Sequence, residues 1–312
     1  MKLDNNEGSI MKIRFDDRVA IVTGAGQGLG RSHAISLAKR GAKVIVNDLG
    51  ASGGESVNAE KVAEEIRNNG GEAIANGANV SNFDEVQNMV SQAMDAWGRV
   101  DILVNNAGIL RDRTFLKMSI DDMRQVIDVH LMGSMYCSKA VWEIMREQSY
   151  GRIVFTTSST GLYGNFGQTN YGAAKMAMVG MMNTLHLEGM KYDIRVNCLA
   201  PAAGTAMTEG LFPEPIFDLL SPESVSPGVV FLSSSDAPSR IVLAAGGGSF
   251  AVFKGFETEG INLHPDSLNP EGVAKNWHAI SNEEGMNELQ TGAEQTEKFA
   301  RQAVKNLGIK LG

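Results

Sequence analysis

Short apolar runs recur along this chain, and a segment with helical spacing follows nearly every one. The runs are Val19–Val22, Lys43–Asn47, Glu72–Ala75, Val100–Val104, Gly151–Phe155, Ile194–Cys198 and, less regularly, residues 241–248. Between them the spacing predicts helices over 31–40, 62–67, 83–97, 122–147 and 171–189. The third is the clearest, with Val86, Met89, Val90, Ala93 and Trp97 falling on one face. A strand followed by a helix is joined to the next strand by a crossover, which sets the two strands parallel. Right-handed crossovers then lay helices on both faces of the sheet. The expected fold is α/β, a doubly wound parallel sheet.

Thr23-Gly-Ala-Gly-Gln-Gly-Leu-Gly30 leaves the first strand and enters the first helix. Glycines there let backbone amides approach a pyrophosphate, and a helix N-terminus favours its charge. The spacing is T-G-x-x-x-G-x-G, since Arg31 stands where a strict G-x-G-x-x-G would need glycine. With a strand before and a helix after, the segment points to a dinucleotide and so to a Rossmann fold. Asp48 lies at the end of the second strand, where a carboxylate accepts hydrogen bonds from a ribose and repels a 2′-phosphate. That favours NAD over NADP, although Arg31 near the ribose could serve NADP. Asn105-Asn-Ala-Gly108 places polar groups at the carboxyl edge of the sheet.

Tyr171 and Lys175 are one helical turn apart, and Ser158 ends the strand before them. A free tyrosine is a weak base at neutral pH, and a nearby ammonium favours the phenolate. Hydroxyl, phenol and ammonium together suit proton transfer to or from a carbonyl or alcohol oxygen.

The chain divides on this reading into three parts. Residues 1–15 are a loose leader, and Met11 is an alternative start. Residues 16–250 form the dinucleotide-binding domain. Residues 251–312 are a C-terminal extension packed on the core or on a partner subunit. The extension is polar beyond Gly260, ends in a helix predicted over 291–306, and is too short and polar to stand alone. Met176, Met178, Met181, Met182 and Met190 suggest adaptable core or interface packing.

Composition removes several function classes. The 312 residues carry 36 acids against 28 bases, a net charge of −8, which argues against a phosphate-backbone binder. No nucleic-acid partner is expected. No apolar run is long enough for a membrane span, the N-terminus lacks an apolar signal core, and no peroxisomal tripeptide ends the sequence. Two cysteines, Cys137 and Cys198, form no Cys-x-x-Cys, and a reducing compartment is the natural reading. Cytoplasm is the expected location, and no metal is expected.

The glycine segment, Asn-Asn-Ala-Gly, and Ser158 with Tyr171-x-x-x-Lys175 together resemble the short-chain dehydrogenase/reductase family over about residues 15–248. Val46–Gly50, Asn105–Arg113, Val129–Leu131, Gly161–Tyr171, Ala200–Thr208 and Pro270–Trp277 look like its (3R)-hydroxyacyl-CoA dehydrogenase branch, which extends the resemblance over nearly the whole chain. The resemblance implies that Tyr171 is the base in alcohol oxidation. Lys175 would hold the nicotinamide ribose and depress the tyrosine pKa, and Ser158 would bind the substrate oxygen. Gly24, Gln27, Gly28, Leu29 and Gly30 would form the phosphate loop, and Asp48 would meet the adenosine ribose. Asn79, Val80, Asn106, Ala107, Gly108, Pro201 and Thr205 would line the cofactor.

Two departures from the family pattern stand out. His130 occupies the position where most members carry a relay asparagine, and Asn79-Val80 stands where many carry an aspartate against the adenine. His130 is counted with the catalytic group, and whether it titrates is open. The expected function is NAD-dependent oxidation of a secondary alcohol, (3R)-hydroxyacyl-CoA to 3-ketoacyl-CoA. The alternatives are a 17β-hydroxysteroid or other bulky-alcohol dehydrogenase and, outside catalysis, a nucleotide-binding redox sensor. Residues 208–221, with Phe212, Pro213, Pro215, Ile216 and Phe217, suit a lid over an apolar substrate. Lys254 and Lys275 are candidates for CoA contacts. A homodimer or homotetramer follows from the resemblance.

Overall fold

The structure, a computed structural model, describes residues 12–51, 54–204 and 213–309. The leader up to Met11, Thr205 and the first part of the expected lid, Phe212 included, lie outside the described residues. The chain divides into two units, one ending at Val252 and one beginning at Phe253.

The first unit alternates strand and helix. It runs β1 (Val19–Val22), α1 (Gly28–Ala38), β2 (Lys43–Asn47), α2 (Val57–Asn68), β3 (Ala73–Asn76), α3 (Phe83–Trp97) and β4 (Ile102–Asn105). It continues with α4 (Ile120–Ile127), a π-helical turn (Asp128–Met132), α5 (Gly133–Gln148), β5 (Gly151–Thr156), α6 (Ser159–Tyr163) and α7 (Thr169–Gly189). It ends with β6 (Ile194–Pro201), α8 (Glu214–Leu219), α9 (Pro222–Leu232), β7 (Val242–Gly246) and β8 (Ser249–Phe253).

Among the described residues these strands form one eight-stranded sheet in the order β3-β2-β1-β4-β5-β6-β7-β8. Every pairing from β3 to β7 is parallel, with Ile21 of β1 between Ile45 and Leu103. All residues of β1 and β4 are buried, as expected of apolar runs covered by helices on both faces. The chain winds outward from β1 to β3, then returns on the other side of β1 as β4. That reversal opens a crevice at the carboxyl ends of β1 and β4, where ligands bind in sheets of this kind. The glycine segment, Asn105–Gly108 and Ser158 all follow carboxyl ends of strands.

Three features differ from the sequence reading. The helix expected unbroken over 122–147 starts at Ile120 and is interrupted by the π turn, which carries His130. The Ser134 hydroxyl donates to the His130 carbonyl at 2.6 Å, and Gly133 lies against Val80. A π turn of this type inserts one residue and re-aims the side chains around it. The second difference is α9, a helix with two prolines where the sequence reading had no element. Pro222 sits in the first turn, where no N–H is required, and Val225, Val229 and Leu232 are buried, with α9 packed on α1. The third is β8, joined to β7 by Gly247-Gly248. A two-residue connection makes it antiparallel, and its residues are mostly exposed although four of the five are apolar.

The second unit holds α10 (Pro270–Lys275), α11 (Trp277–Ile280) and α12 (Gly292–Leu307). Polar contacts organise it. Buried Lys298 of α12 pairs with Glu257 and donates to the Thr258 carbonyl at 2.9 Å. Asn306 reaches Asn262 at 2.9 Å, and Glu257 bridges Asn287.

Candidate active site

The turn after β1 is shaped for an anion. Gly24 and Gly28 have φ of 61° and 54°, the left-handed region that favours glycine. A Cβ on Gly24 would come within 2.7 Å of the Ala107 backbone. The first amides of α1 have no partner within the helix, and its first turn carries no acidic residue. Gln27 occupies the N-cap and makes no side-chain cap bond, while Leu29 packs on the core. These features fit a pyrophosphate.

The Asn105–Gly108 turn braces that loop. The Asn106 amide donates to the Thr23 and Gly24 carbonyls, both at 3.0 Å. The N–H groups of Asn106 and Ala107 both donate to the Thr23 hydroxyl at 3.1 Å. Asn106 was expected to line the cofactor, but its side-chain donors are committed to the loop itself. Asp48 accepts from the Gly26 N–H at 2.7 Å, a partner absent from the sequence reading because Gly26 falls outside the T-G-x-x-x-G-x-G spacing. Arg31, the residue that could have served a 2′-phosphate, is held by both oxygens of Glu65 at 2.8 and 2.6 Å. Asn79 is engaged in its own turn, accepting from the Ser81 N–H at 3.0 Å, while Val80 is buried against Gly133. Pro201 closes β6 beside Ala245.

Ser158, Tyr171, Lys175 and His130 converge. Ser158 caps α6, accepting from the Thr160 N–H at 3.2 Å, and lies near enough to the Tyr171 phenol to favour its ionised form. Lys175 is buried and donates to the Thr156 carbonyl at 2.6 Å, with its ammonium 5.5 Å from the Tyr171 ring centroid. The His130 ring meets Tyr171 edge to face at 5.2 Å. His130 Nε2 lies 2.8 Å from the Ile109 carbonyl and 3.1 Å from the Ile109 N–H. One nitrogen cannot serve both, and the shorter contact makes Nε2–H the donor. Nδ1 is then a buried acceptor without a partner among the described residues. Gly108 lies so close that a Cβ would stand 2.3 Å from His130 Cε1.

The electrostatics bear on one expectation and one open question. Lys175 was expected to depress the Tyr171 pKa. Instead burial raises it, the Ser158 hydroxyl opposes the rise, and Asp112 adds to it. Burial also brings Lys175 itself down to about 7, so at neutral pH it is only partly charged. His130, pushed down to about 3 by burial and then by Lys175, is neutral across the working range. It does not carry a proton by changing charge.

Residues missed in the sequence are Asp112, Gln168 and Asn170, which hold the loop after β4 against the start of α7. Arg-Asp-Arg and Gln-Thr-Asn entered the sequence reading only within the family-like segments, with no role assigned, and only the fold places them together. Lys254 is paired with Glu288 at 2.6 Å.

Comparison with known proteins places these features in context. Residues 18–215 match the short chain dehydrogenase family. A short-chain type dehydrogenase/reductase of Mycobacterium tuberculosis is 46% identical over 86% of this chain and 96% of its own. The peroxisomal hydratase-dehydrogenase-epimerase of Saccharomyces cerevisiae is 44% identical over 86% of this chain but 30% of its own length. The structure of full-length peroxisomal multifunctional enzyme type 2 from Drosophila melanogaster superposes with a TM-score of 0.80 at 35% identity. That match covers 95% of this chain and 51% of the fly protein. The chain thus spans about half or less of these multifunctional relatives.

Proposed function

The chain belongs to the short-chain dehydrogenase family, and from that premise we propose that it oxidises (3R)-hydroxyacyl-CoA to 3-ketoacyl-CoA with NAD. The convergence of Ser158, Tyr171 and Lys175 at the open edge of the sheet, beside the anion-shaped glycine loop, carries this reading. A nicotinamide dinucleotide, when bound, supplies the hydride acceptor. The chain's own residues do the rest. Ser158 holds the alcohol oxygen. Tyr171 takes its hydroxyl proton as the carbon–hydrogen bond breaks. Lys175, buried beneath the phenol, orients it and lends positive charge when protonated.

NAD is favoured over NADP by two contacts. The Asp48 carboxylate faces the loop at the Gly26 amide, and Glu65 occupies Arg31. An alcohol formed by hydration as substrate is supported by the yeast relative's name, a hydratase-dehydrogenase-epimerase. A hydratase that adds water to a double bond makes an alcohol, and a dehydrogenase in the same chain consumes it. The loop after β4 exposes Arg111, Arg113 and Lys117 in an otherwise acidic protein, and these are candidates for the carrier's phosphates.

Leu131, Met135, Trp142, Ala177, Met181 and Leu185 line a groove of about 520 Å³ on the π turn, α5 and α7. We assign this face to a homodimer or homotetramer. No helix among the described residues is long and apolar enough to cross a membrane. Both cysteines are buried free thiols, which supports a reducing compartment such as the cytoplasm.

Reduction of NAD⁺ and NADP⁺ with (3R)- and (3S)-hydroxyacyl-CoA and a 17β-hydroxysteroid tests the reading. Turnover of the (3R) thioester with NAD⁺ is expected. Turnover of the steroid alone would move the substrate class.

A further inference from the structure

The loop that leaves β4 is fastened to the start of α7 and the residues just before it at three consecutive residues. The Arg111 carbonyl accepts from the Asn170 amide at 3.2 Å, and the Arg113 N–H donates to the Gly167 carbonyl at 2.9 Å. Between them Asp112 Oδ2 accepts from Gln168 Nε2 at 2.7 Å. Gln168 immediately precedes α7, three residues before Tyr171. Its Oε1 accepts from the Thr160 hydroxyl at 2.9 Å and from Asn165 Nδ2 at 3.0 Å. Thr160 in turn gives its N–H to the Ser158 hydroxyl. One amide therefore ties the loop after β4 to the serine's turn and to the tyrosine's helix.

The chemistry of the pair is directional. A carboxylate only accepts, so Asp112 forces Gln168 to present Nε2 to it and Oε1 to Thr160 and Asn165. A neutral partner with both donor and acceptor would allow either orientation. Asp112 Oδ1 is closed off from solvent without a partner among the described residues. A buried acceptor left unpaired is costly and calls for a role. The negative charge also acts on Tyr171, opposing its ionisation.

We propose that Asp112 and Gln168 are a positioning pair: Gln168 sets Ser158 and Tyr171 in mutual register, and Asp112 orients Gln168 while placing a negative charge beside the phenol. The proposal rests on Tyr171 being the proton acceptor. The groups that face Tyr171 are Lys175 from its own helix, His130 from the π turn, Ser158 from the start of α6 and Asp112 from the loop after β4. Ser158 does not titrate in the working range, His130 is neutral above about 3, and Lys175 loses charge above about 7. In alkali, Asp112 is the charged group that remains.

The test is the pH dependence of alcohol oxidation in wild type, Asp112→Asn and Gln168→Leu, with tyrosinate absorbance titrated in parallel. Asp112→Asn is expected to move the rising limb of kcat/KM about one pH unit lower. Gln168→Leu keeps the charge, so its limb stays, and kcat falls about tenfold or more while the KM for NAD changes less than about twofold. The tyrosinate signal, taken as Asp112→Asn minus Asp112→Asn/Tyr171→Phe, needs no turnover. A protein that oxidises no alcohol would therefore count against the proposed function and leave this inference to be judged spectroscopically. Superposable limbs and superposable tyrosinate titrations for wild type and Asp112→Asn would overturn it. So would full kcat in Gln168→Leu, which also decides the matter if Asp112→Asn does not fold.

Discussion

Lys175 sits where an ammonium is poorly tolerated, 4% exposed and bound to one carbonyl, and its pKa falls from 10.5 to about 7. Between those values the unfolded chain binds a proton that the folded protein does not, so stability rises with pH through that window. The penalty is fully present below about 7. Lys175→Met is expected to abolish oxidation yet raise the melting temperature, most at pH 7 and below, with the gain fading toward pH 10.5. Thermal melts across this range check it. Equal melting temperatures at pH 7 would show that the lysine is not held against its charge. Cofactor choice also rests on single residues. Asp48→Ala with Glu65→Gln removes the carboxylate and frees Arg31, and is expected to shift the NAD/NADP ratio of kcat/KM at least about tenfold toward NADP. Ser158, Tyr171 and Lys175 were legible in the sequence because helical spacing places the last two on one face. Asp112 and Gln168 were not, because their partners lie on separate elements and a polar residue between arginines carries no periodic signal.

At the scale of elements, the strand–helix alternation was readable almost throughout, since buried parallel strands must be nearly continuous apolar runs. Two of the failures share a cause. The π turn and α9 are set by tertiary contacts, and local propensity argues against or is silent about each, while β8 is a short apolar edge strand beyond the last run in the sequence reading. The π turn matters most, because it delivers His130 to Tyr171 and to Ile109. Gly108 makes room for that ring. Gly108→Ala would force the imidazole or the turn to move, and a loss of about 1–3 kcal/mol in urea unfolding is expected. Gly108→Ala with His130→Ala should recover part of that loss, since the second change removes the clashing ring. No recovery would mean that the glycine serves some purpose other than clearing the histidine.

For the molecule as a whole, two buried histidines set the acid limit. Burial holds both His33 and His130 at about 3, well below the ordinary 6.5. Their unfolded forms take up protons first, so stability falls as pH drops from 6.5 toward 3. With both contributing, the slope approaches about 3 kcal/mol per pH unit. His33 donates to or accepts from Ser226 of α9, far from the Tyr171 cluster, so His33→Asn should flatten this slope by about half without changing activity at neutral pH. An unchanged slope would remove His33 from the account. The sheet order and its reversal at β1 place the glycine loop and the Ser158–Tyr171–Lys175 cluster on one edge, and that shared edge is the central claim. Its most direct test is NAD⁺ reduction by (3R)-hydroxyacyl-CoA in wild type and Tyr171→Phe, with NADH binding followed by fluorescence in both. Turnover that disappears in the variant while NADH still binds is the expected result. Undiminished turnover in Tyr171→Phe would contradict the account.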